Sequence, residues 1–262
     1  MQKEIKFFEL RSSNEISRRK KLFEMLRICP IPNAELLENL GLFVSKADFS
    51  NMLYIHELYK KQLDIHGIII EFGVRWGRNL ALFETFRGIY EPFNWNRKIV
   101  GFDTFKGFSS VSDKDGNADI ASVSSYNVTK NYELYLEKIL DLHEQEGVIL
   151  NRKGYELIKG DASIKIKDYL YKHPETIISL AYFDMDIYKP TKECLKIIQK
   201  HLTKGSIVAF DELNFDIFPG ETIALKEVFG LDKYKLIHTQ YSSTPDFDTC
   251  KLILDIYPLE SL

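Results

Sequence analysis

The stretch Gly67-Ile68-Ile69-Ile70-Glu71-Phe72-Gly73 decides the fold that this sequence predicts. It is a short, continuous apolar run between two glycines, which is typical of a strand buried on both faces of a parallel sheet. Such a strand needs helices on both of its faces, so the flanking segments should alternate between helix and strand. The sequence therefore predicts an α/β protein.

The flanking segments follow this alternation. The apolar residues from Met52 to Leu63 repeat every three or four positions, which indicates a helix before the strand. A helix at 78–87 and a second strand at 98–102 should follow. Further strands are expected at 155–158, 177–183, 206–210, 235–238 and 251–256, with helices at 132–143, 192–202 and 221–229. These elements predict a Rossmann-like, seven-stranded sheet, mostly parallel, with a terminal antiparallel hairpin.

Length and composition predict one main domain with an N-terminal appendage. The chain has 262 residues, of which 45% are hydrophobic and 28% charged, enough to bury one substantial core. Residues 1–47 mix charge with scattered apolar residues and contain Pro30 and Pro32, so we expect short N-terminal helices there and the main domain at 48–262. The appendage could serve as a contact between copies in a homo-oligomer or as a wall of a binding site.

Several classes of protein do not fit the composition. The net charge of −3 gives no clustered basic surface for nucleic acid. The charged N-terminus and the lack of an apolar run of about 18 residues predict neither a signal peptide nor a membrane span. The three cysteines, Cys29, Cys194 and Cys250, have no disulfide or metal-ligand spacing, so a reducing cytoplasm is expected.

Residues that directly follow the predicted strands are candidates for binding, because open parallel sheets bind ligands beyond the carboxyl ends of their strands. Gly73 and Gly77 lie in the turn after the first strand, where glycines let the backbone pass close to a ligand. Asp103 follows the second strand, and its carboxylate could accept hydrogen bonds from ribose hydroxyls. Gly160 and Asp161 follow the third strand, where they could meet an adenine ring. Each turn alone could be merely structural, but three in order favour an adenosine site.

Four carboxylates follow the fourth and fifth predicted strands. Asp184 and Asp186 lie two apart, so on a strand they would share a face. Asp211 and Glu212 come immediately after the fifth strand, and they would face the first pair if the two strands are neighbours. Such an oxygen-rich cluster suits Mg²⁺ or another hard divalent ion. The alternative is that each acid caps the N-terminus of a helix.

A long polar segment separates the second and third predicted strands. Residues 106–128 are rich in Ser, Asp, Gly and Asn and have no apolar period, which predicts a surface loop. Loops of this length are often functional lids, so we expect this one to close over a substrate.

The ordered motifs resemble those of the macrocin O-methyltransferase group. The similarity covers residues 50–240 and rests on Glu71-Phe72-Gly73-Val74-Arg75-x-Gly77, Phe102-Asp103-Thr104-Phe105-x-Gly107-Phe108, Asp184-x-Asp186-x-Tyr188 and Pro219-Gly220. Members of this group are metal-dependent class I methyltransferases that act on sugars of macrolide and aminocoumarin antibiotics. The resemblance implies methyl transfer from S-adenosylmethionine to a hydroxyl of a small molecule, a sugar or secondary metabolite, in natural product biosynthesis.

The resemblance also implies roles for matching residues. Asp184, Asp211 and Glu212 would hold the metal, expected to be Mg²⁺, and Asp186 would be the general base. The residues expected to bind S-adenosylmethionine are Glu71, Gly73, Arg75, Gly77, Asp103, Thr104, Gly160, Asp161, Ala162 and Asp184, with Glu71 and Gly73 on the methionine part and Asp103 on the ribose. Two departures leave the metal geometry open: the family's paired aspartates are Asp211-Glu212 here, and the second glycine-rich turn lacks a doubled glycine.

Other functions remain open at this point. The methyl acceptor could be a nitrogen on the same fold. A nucleotide-sugar glycosyltransferase also uses an Asp-x-Asp with a divalent metal, although it would not need the glycine turn or Asp103. A nonenzymatic binding module would keep the nucleotide turns but would not need four clustered carboxylates.

Overall fold

A central sheet organises the protein, whose computed structural model describes residues 11–116, 121–149 and 153–241 and the backbone of 250–255. The strands are β1 Ile68–Phe72, β2 Ile99–Asp103, β3 Tyr155–Lys159, β4 Ile178–Phe183, β5 Leu202–Leu213, β6 Lys235–His238 and β7 Cys250–Asp255. They lie in the order β3-β2-β1-β4-β5-β7-β6. Strands β1 to β5 pair in parallel, whereas β7 pairs antiparallel with β5 and β6. The prediction of a mostly parallel, Rossmann-like sheet is confirmed.

Eight α-helices lie in the described residues, and one of them was not predicted. They are α1 Ser13–Arg27, α2 Asn33–Leu36, α3 Lys46–Lys61, α4 Arg78–Tyr90, α5 Tyr132–Gln145, α6 Ala162–Lys172, α7 Tyr188–Ile198 and α8 Gly220–Val228. The segment Lys159–Ser163 was interpreted only as a turn, so α6 was not predicted. A signal was present, because Ala162, Ile166 and Tyr169 repeat at helical spacing and all three are buried.

Helices cover the sheet on both faces, so β1 is buried throughout. Ile70 and Phe72 pack into a cluster with residues of α6, α7 and α8 on one face. Ile69 packs on the other face with residues of α3, α4 and α5. This two-sided burial is the reason that β1 is a continuous apolar run.

The N-terminal helices lie on the surface. Helices α1 and α2 and the 3₁₀ turn Leu40–Phe43 contain no buried residue. Arg19 joins α1 to the start of α3 through hydrogen bonds to Ser45 and Asp48, both 3.2 Å long. Large apolar side chains stay exposed along this segment, namely Phe23, Met25, Ile28, Leu37 and Leu42. The predicted domain boundary at residue 47 and the homo-oligomer remain predictions.

The described residues show no unusual covalent or membrane feature. Cys29 and Cys194 are free thiols, and the side chain of Cys250 lies outside the described residues. Within those same residues, no helix combines the length and the apolar character needed to cross a membrane.

Candidate active site

A cavity of about 530 Å³ opens beyond the carboxyl ends of the parallel strands. Strand order reverses between β1 and β4, which is the position where open α/β sheets bind ligands. The cavity is lined by these sequence-predicted residues: Gly73, Arg75, Gly77, Asp103, Thr104, Gly160, Asp161, Ala162, Asp184, Asp186, Asp211 and Glu212. The structure therefore brings all but one of the predicted site residues together.

Glu71 is the exception, because it lies behind the cavity wall. Only 1% of its surface is exposed, and β1 is buried on both faces at this point. Neither carboxyl oxygen accepts a hydrogen bond of normal length and angle from the described residues, although the Asn79 side chain lies near enough to lower the pKa of Glu71. Burial raises the pKa of Glu71 well above its usual range, and the neighbouring Asp184 and Asp103 raise it further. Glu71 does not line the cavity in this structure, and its expected contact with the methionine part of the cosubstrate stays a prediction.

Contacts within the protein require glycine at two positions of the turn that follows β1. Gly73 has a φ of +93°, and a Cβ at this position would lie 1.9 Å from the Asp184 carbonyl oxygen. The Asp184 amide also donates to the Phe72 carbonyl at 2.8 Å, which draws the ends of β1 and β4 together. Gly77 has a φ of +79° and lies against Leu136. Both glycines line the cavity as well, so their structural and binding roles coexist.

Asp103 is held rigidly at the end of β2. Its Oδ2 accepts a hydrogen bond from the Arg75 amide at 2.7 Å, and its Oδ1 accepts one from the Phe105 amide at 2.5 Å. A carboxylate has about four acceptor positions, so capacity remains for hydroxyl donors from the cavity. Thr104 Oγ1 donates to the Gly107 carbonyl at 2.8 Å and so shapes the following turn.

The residues after β3 have a structural role beside their place in the cavity. Asp161 is the N-cap of α6, and its carboxylate accepts a hydrogen bond from the Ser163 amide at 2.9 Å. Such a cap stabilises a helix by about 1 kcal/mol. Asp161 therefore has the structural role that the sequence analysis offered as an alternative. Gly160, Asp161 and Ala162 also line the cavity.

The four predicted carboxylates line the same cavity, but their predicted positions relative to β4 and β5 were wrong. Strand β4 ends at Phe183, so Asp184 and Asp186 lie in the following loop and the strand-alternation argument was wrong for them. Strand β5 continues to Leu213, so Asp211 and Glu212 lie within it and not after it. Neighbouring residues of a regular strand point to opposite faces. The pairing of β5 with β7 shifts between Phe210 and Leu213, and both acids line the same cavity.

These carboxylates raise one another's pKa. Burial, together with the charge of Asp211, raises the pKa of Asp186 to about 7, although Arg75 opposes the rise. Burial and four neighbouring acids, with Asp186 and Asp211 foremost, raise the pKa of Glu212 to about 10. Glu212 Oε2 is buried and has no hydrogen-bond partner among the described residues. A cluster of this kind binds protons or a cation in order to relieve its repulsion.

Two features of the site were missed by the sequence reading. Glu221 of α8 is fully buried, and its Oε1 accepts hydrogen bonds from the amides of Met185 and Asp186 at 3.1 and 3.2 Å. The Arg75 guanidinium lies over the Tyr126 ring, 4.8 Å from its centroid, and this particular contact between the long loop and the site was not predicted. The Pro219-Gly220 motif directly before Glu221 was the available signal.

The donor atoms suit a divalent cation, but they do not form a finished site. The oxygens of Asp184, Asp211 and Glu212 are hard ligands of the kind that Mg²⁺ prefers. Among the residues that the structure describes, no three acidic, His or Cys side chains are arranged so that they could hold a metal ion. Asp211 Oδ1 accepts a hydrogen bond from the Tyr182 hydroxyl at 2.9 Å, which leaves other acceptor positions on this carboxylate.

The fold and the site define a class I methyltransferase, and comparison with solved structures agrees. The chain is 40% identical to CalS11, described as the calicheamicin methyltransferase, with a TM-score of 0.89 over 96% of this chain and 98% of that one. An apo structure of CalS11, described as a TDP-rhamnose 3'-O-methyltransferase, is 38% identical with a TM-score of 0.81 over 95% of this chain and 96% of that one. The O-methyltransferase NovP shares the fold at 17% identity, with a TM-score of 0.55 over 79% of each chain.

The chain belongs to the family of sugar O-methyltransferases that contains CalS11. It is an S-adenosylmethionine-dependent O-methyltransferase. No family model matches the chain, and neither does any curated protein. The predictions of a glycosyltransferase and of a nonenzymatic binding module disagree with this family membership.

Proposed function

We propose that the protein methylates a hydroxyl group of a sugar carried on a nucleoside diphosphate, as a tailoring step in the biosynthesis of a secondary metabolite. The CalS11 description as a TDP-rhamnose 3'-O-methyltransferase supports this acceptor class. The observation that carries the proposal is Asp186, a carboxylate in the cavity whose pKa is raised to about 7. A general base works best when its pKa lies near the operating pH.

In this proposal Asp186 accepts the proton of the acceptor hydroxyl. When bound, S-adenosylmethionine supplies an electrophilic methyl group. Gly73 and Asp103 line the cavity on the side where the adenosine and methionine parts of the cosubstrate would lie, with Asp103 on the ribose. Arg75 contributes positive charge beside both Asp103 and Asp186. Holding the two substrates in line within a closed cavity accounts for much of the rate enhancement in such reactions.

We further propose that a divalent metal, with Mg²⁺ as the expected ion, assists the reaction. Asp184, Asp211 and Glu212 would hold it, which is supported by their oxygen donors and by the unpartnered, buried Glu212 Oε2. Bound there, the metal would act as a Lewis acid that lowers the pKa of the acceptor hydroxyl. Glu212 would have to release its proton before the ion could bind, whereas Asp211 keeps acceptor positions beside the one that the Tyr182 hydroxyl occupies.

A methyl-transfer assay with purified protein tests the proposed function. We expect product from TDP-rhamnose with S-adenosylmethionine and Mg²⁺, and at least tenfold less from free rhamnose. Asp186→Asn should lower kcat at least 100-fold and leave the Kd for S-adenosylhomocysteine within threefold. Asp168→Asn, which changes an aspartate on the exposed face of α6, is the matched control. Full activity of Asp186→Asn would contradict the role of Asp186 as general base. Equal activity with free rhamnose would contradict the proposal that the acceptor sugar is carried on a nucleoside diphosphate.

We propose three further properties, of which the first rests on the sequence and the other two also on the structure. The protein would act in the cytoplasm on a small-molecule acceptor, without nucleic acid or membrane partners. Exposed apolar side chains on α1 and directly after α2, Phe23 and Leu37 among them, support a homo-oligomer formed through this face. Arg11, which precedes α1, lines the cavity, so the same segment would also form part of the acceptor wall.

A further inference from the structure

The loop that carries Asp186 has an unusual backbone. Asp186 has a φ of +61°, a conformation that non-glycine residues rarely adopt. The Ile187 amide donates to the Met185 carbonyl at 2.7 Å, so Asp186 is the central residue of a γ-turn. A γ-turn with a positive central φ is the rare and strained kind. Something else in the molecule must therefore stabilise this turn.

Glu221 supplies the missing stabilisation from α8. Its Oε1 accepts hydrogen bonds from the backbone amides of Met185 and Asp186, the first two residues of the turn, at 3.1 and 3.2 Å. Both donors are backbone atoms that no side-chain substitution in the loop would change. Glu221 is fully buried, although a carboxylate is among the side chains least often found there. Its buried position next to other acids is costly, so a specific role for its oxygen atoms is expected.

Asp115 holds the other end of the same loop. It comes from the long segment between β2 and α5, yet it is only 1% exposed. Its Oδ1 accepts the amide of Tyr188, the first residue of α7, while its Oδ2 accepts the Ser112 amide at 2.6 Å. The residue at the N-cap position of α7 is Ile187, which has no side-chain oxygen, so Asp115 takes over the capping role.

Gly220 allows the two carboxylates to approach the loop together. A Cβ at this position would lie 2.6 Å from Asp115 Oδ1, 2.6 Å from the Tyr188 amide nitrogen and 2.9 Å from the Asp186 carbonyl oxygen. At position 220, α8, the long loop and the Asp186 turn thus approach too closely for any residue other than glycine. This packing explains the Pro219-Gly220 motif, to which no binding role had been given.

We propose that Glu221 is a positioning residue, which holds the γ-turn that directs Asp186 into the cavity, and that Asp115 secures the same turn from the long loop. The inference rests on the proposed general-base role of Asp186. In this arrangement the carboxylate oxygen Oε1, as an acceptor for two amides, is the essential part of Glu221. Its negative charge is not required. The arrangement also connects the position of the long loop to that of the base, because Asp115 belongs to that loop.

Two substitutions at Glu221 separate its oxygen from its charge. Glu221→Gln keeps an acceptor oxygen for both amides, and its new amide group would lie near carboxylates that can accept from it. Glu221→Leu has a similar volume but accepts no hydrogen bond. We expect Gln to lower kcat no more than threefold and Leu to lower it about 100-fold, or about 2.7 kcal/mol of barrier. The acceptor KM and the Kd for S-adenosylhomocysteine should change less than threefold in both.

A double-mutant cycle with Asp186→Asn shows whether Glu221 acts through the base. If it does, Glu221→Leu combined with Asp186→Asn should be no slower than Asp186→Asn alone. Additive losses, or a Gln variant as slow as the Leu variant, would overturn the positioning role. If Asp186→Asn alone is fully active, the proposed general-base role of Asp186 has failed instead, so this single variant is measured before the cycle.

Asp115 variants keep the inference testable if Glu221→Leu does not fold. Asp115→Asn retains an acceptor for the Tyr188 amide, whereas Asp115→Ala does not. We expect Ala to lower kcat about tenfold and Asn to restore it to within threefold of the wild type. Equal activity of the Ala variant and the wild type, or equal loss in both variants, would overturn the role of Asp115.

Discussion

Asp186→Asn should make the metal-free protein more stable while it makes the enzyme slower. Asp186 lies in a cluster of acids where burial and Asp211 raise its pKa from 3.8 to about 7. Its ionised form is therefore less stable in the folded protein than in the unfolded chain. Asparagine has nearly the same shape but carries no charge, so it removes this unfavourable interaction together with the proton acceptor.

The size and the pH range of the effect follow from the two pKa values. Between pH 4 and pH 7 the folded protein holds a proton that the unfolded chain has released, so the stability of the wild type falls as the pH rises. Each unit of pKa difference corresponds to about 1.4 kcal/mol, so the loss reaches at most about 4 kcal/mol at pH 8. The Asn variant should not show this loss. Its advantage should be near zero below pH 4 and largest above pH 7.

Urea unfolding at pH 4, 6 and 8 in the presence of EDTA measures this difference. Asp168→Asn, an exposed position on α6, is the control, and it should change the free energy of unfolding by less than about 0.5 kcal/mol at each pH. A destabilised Asp186→Asn variant at pH 8, or a difference that does not grow with pH, would refute the argument. In a separate methyl-transfer assay without EDTA, kcat of the wild type should rise with pH as Asp186 releases its proton.

Three further predictions concern the rest of the site. Gly73→Ala should destabilise the protein by more than about 3 kcal/mol, because its Cβ would lie 1.9 Å from a backbone oxygen. Gly88→Ala in α4, where nothing lies within 4 Å of the new Cβ, should stabilise the protein slightly. A thermal unfolding experiment that ranks the two variants the other way would contradict the close approach at Gly73. Asp103→Ala should raise the Kd for S-adenosylhomocysteine at least tenfold by calorimetry, and a change below twofold would remove Asp103 from the ribose site. Trypsin cleavage in the long loop, at Lys106 and Lys114, should slow when cosubstrate and acceptor are bound, and an unchanged rate would argue against a lid.

The sheet was predictable because burial on both faces leaves a strong local signal. The apolar run of β1 and the glycines around it indicate a parallel strand without any knowledge of its neighbours. Helix α6 was missed because Gly160 and Asp161, which lie between it and β3, were interpreted only as a turn. The boundaries of α7 could not be read locally either, since the acceptor for its first amide is Asp115, 73 residues away in the chain.

The candidate site was predictable as a set of positions but not as an arrangement. Residues at or near the carboxyl ends of parallel strands meet at one edge whatever their side chains, so Gly73, Asp103, Asp184 and Asp211 were found from the strand pattern. The positive φ of Asp186 could not be foreseen, because it depends on a tertiary contact with Glu221. Glu71 was assigned to the cosubstrate through the family resemblance, although the predicted burial of this strand on both faces leaves its side chain no face open to the cavity.

A crystal structure with S-adenosylhomocysteine and the acceptor sugar nucleotide tests the proposed chemistry most directly. We predict that the ribose hydroxyls donate to Asp103 and that the carboxylate of Asp186 lies within about 2.6–3.2 Å of one sugar hydroxyl. That hydroxyl should face the sulfur atom from which the methyl group has departed. A cosubstrate bound away from Asp103, or an Asp186 side chain turned out of the cavity, would contradict the proposed reaction.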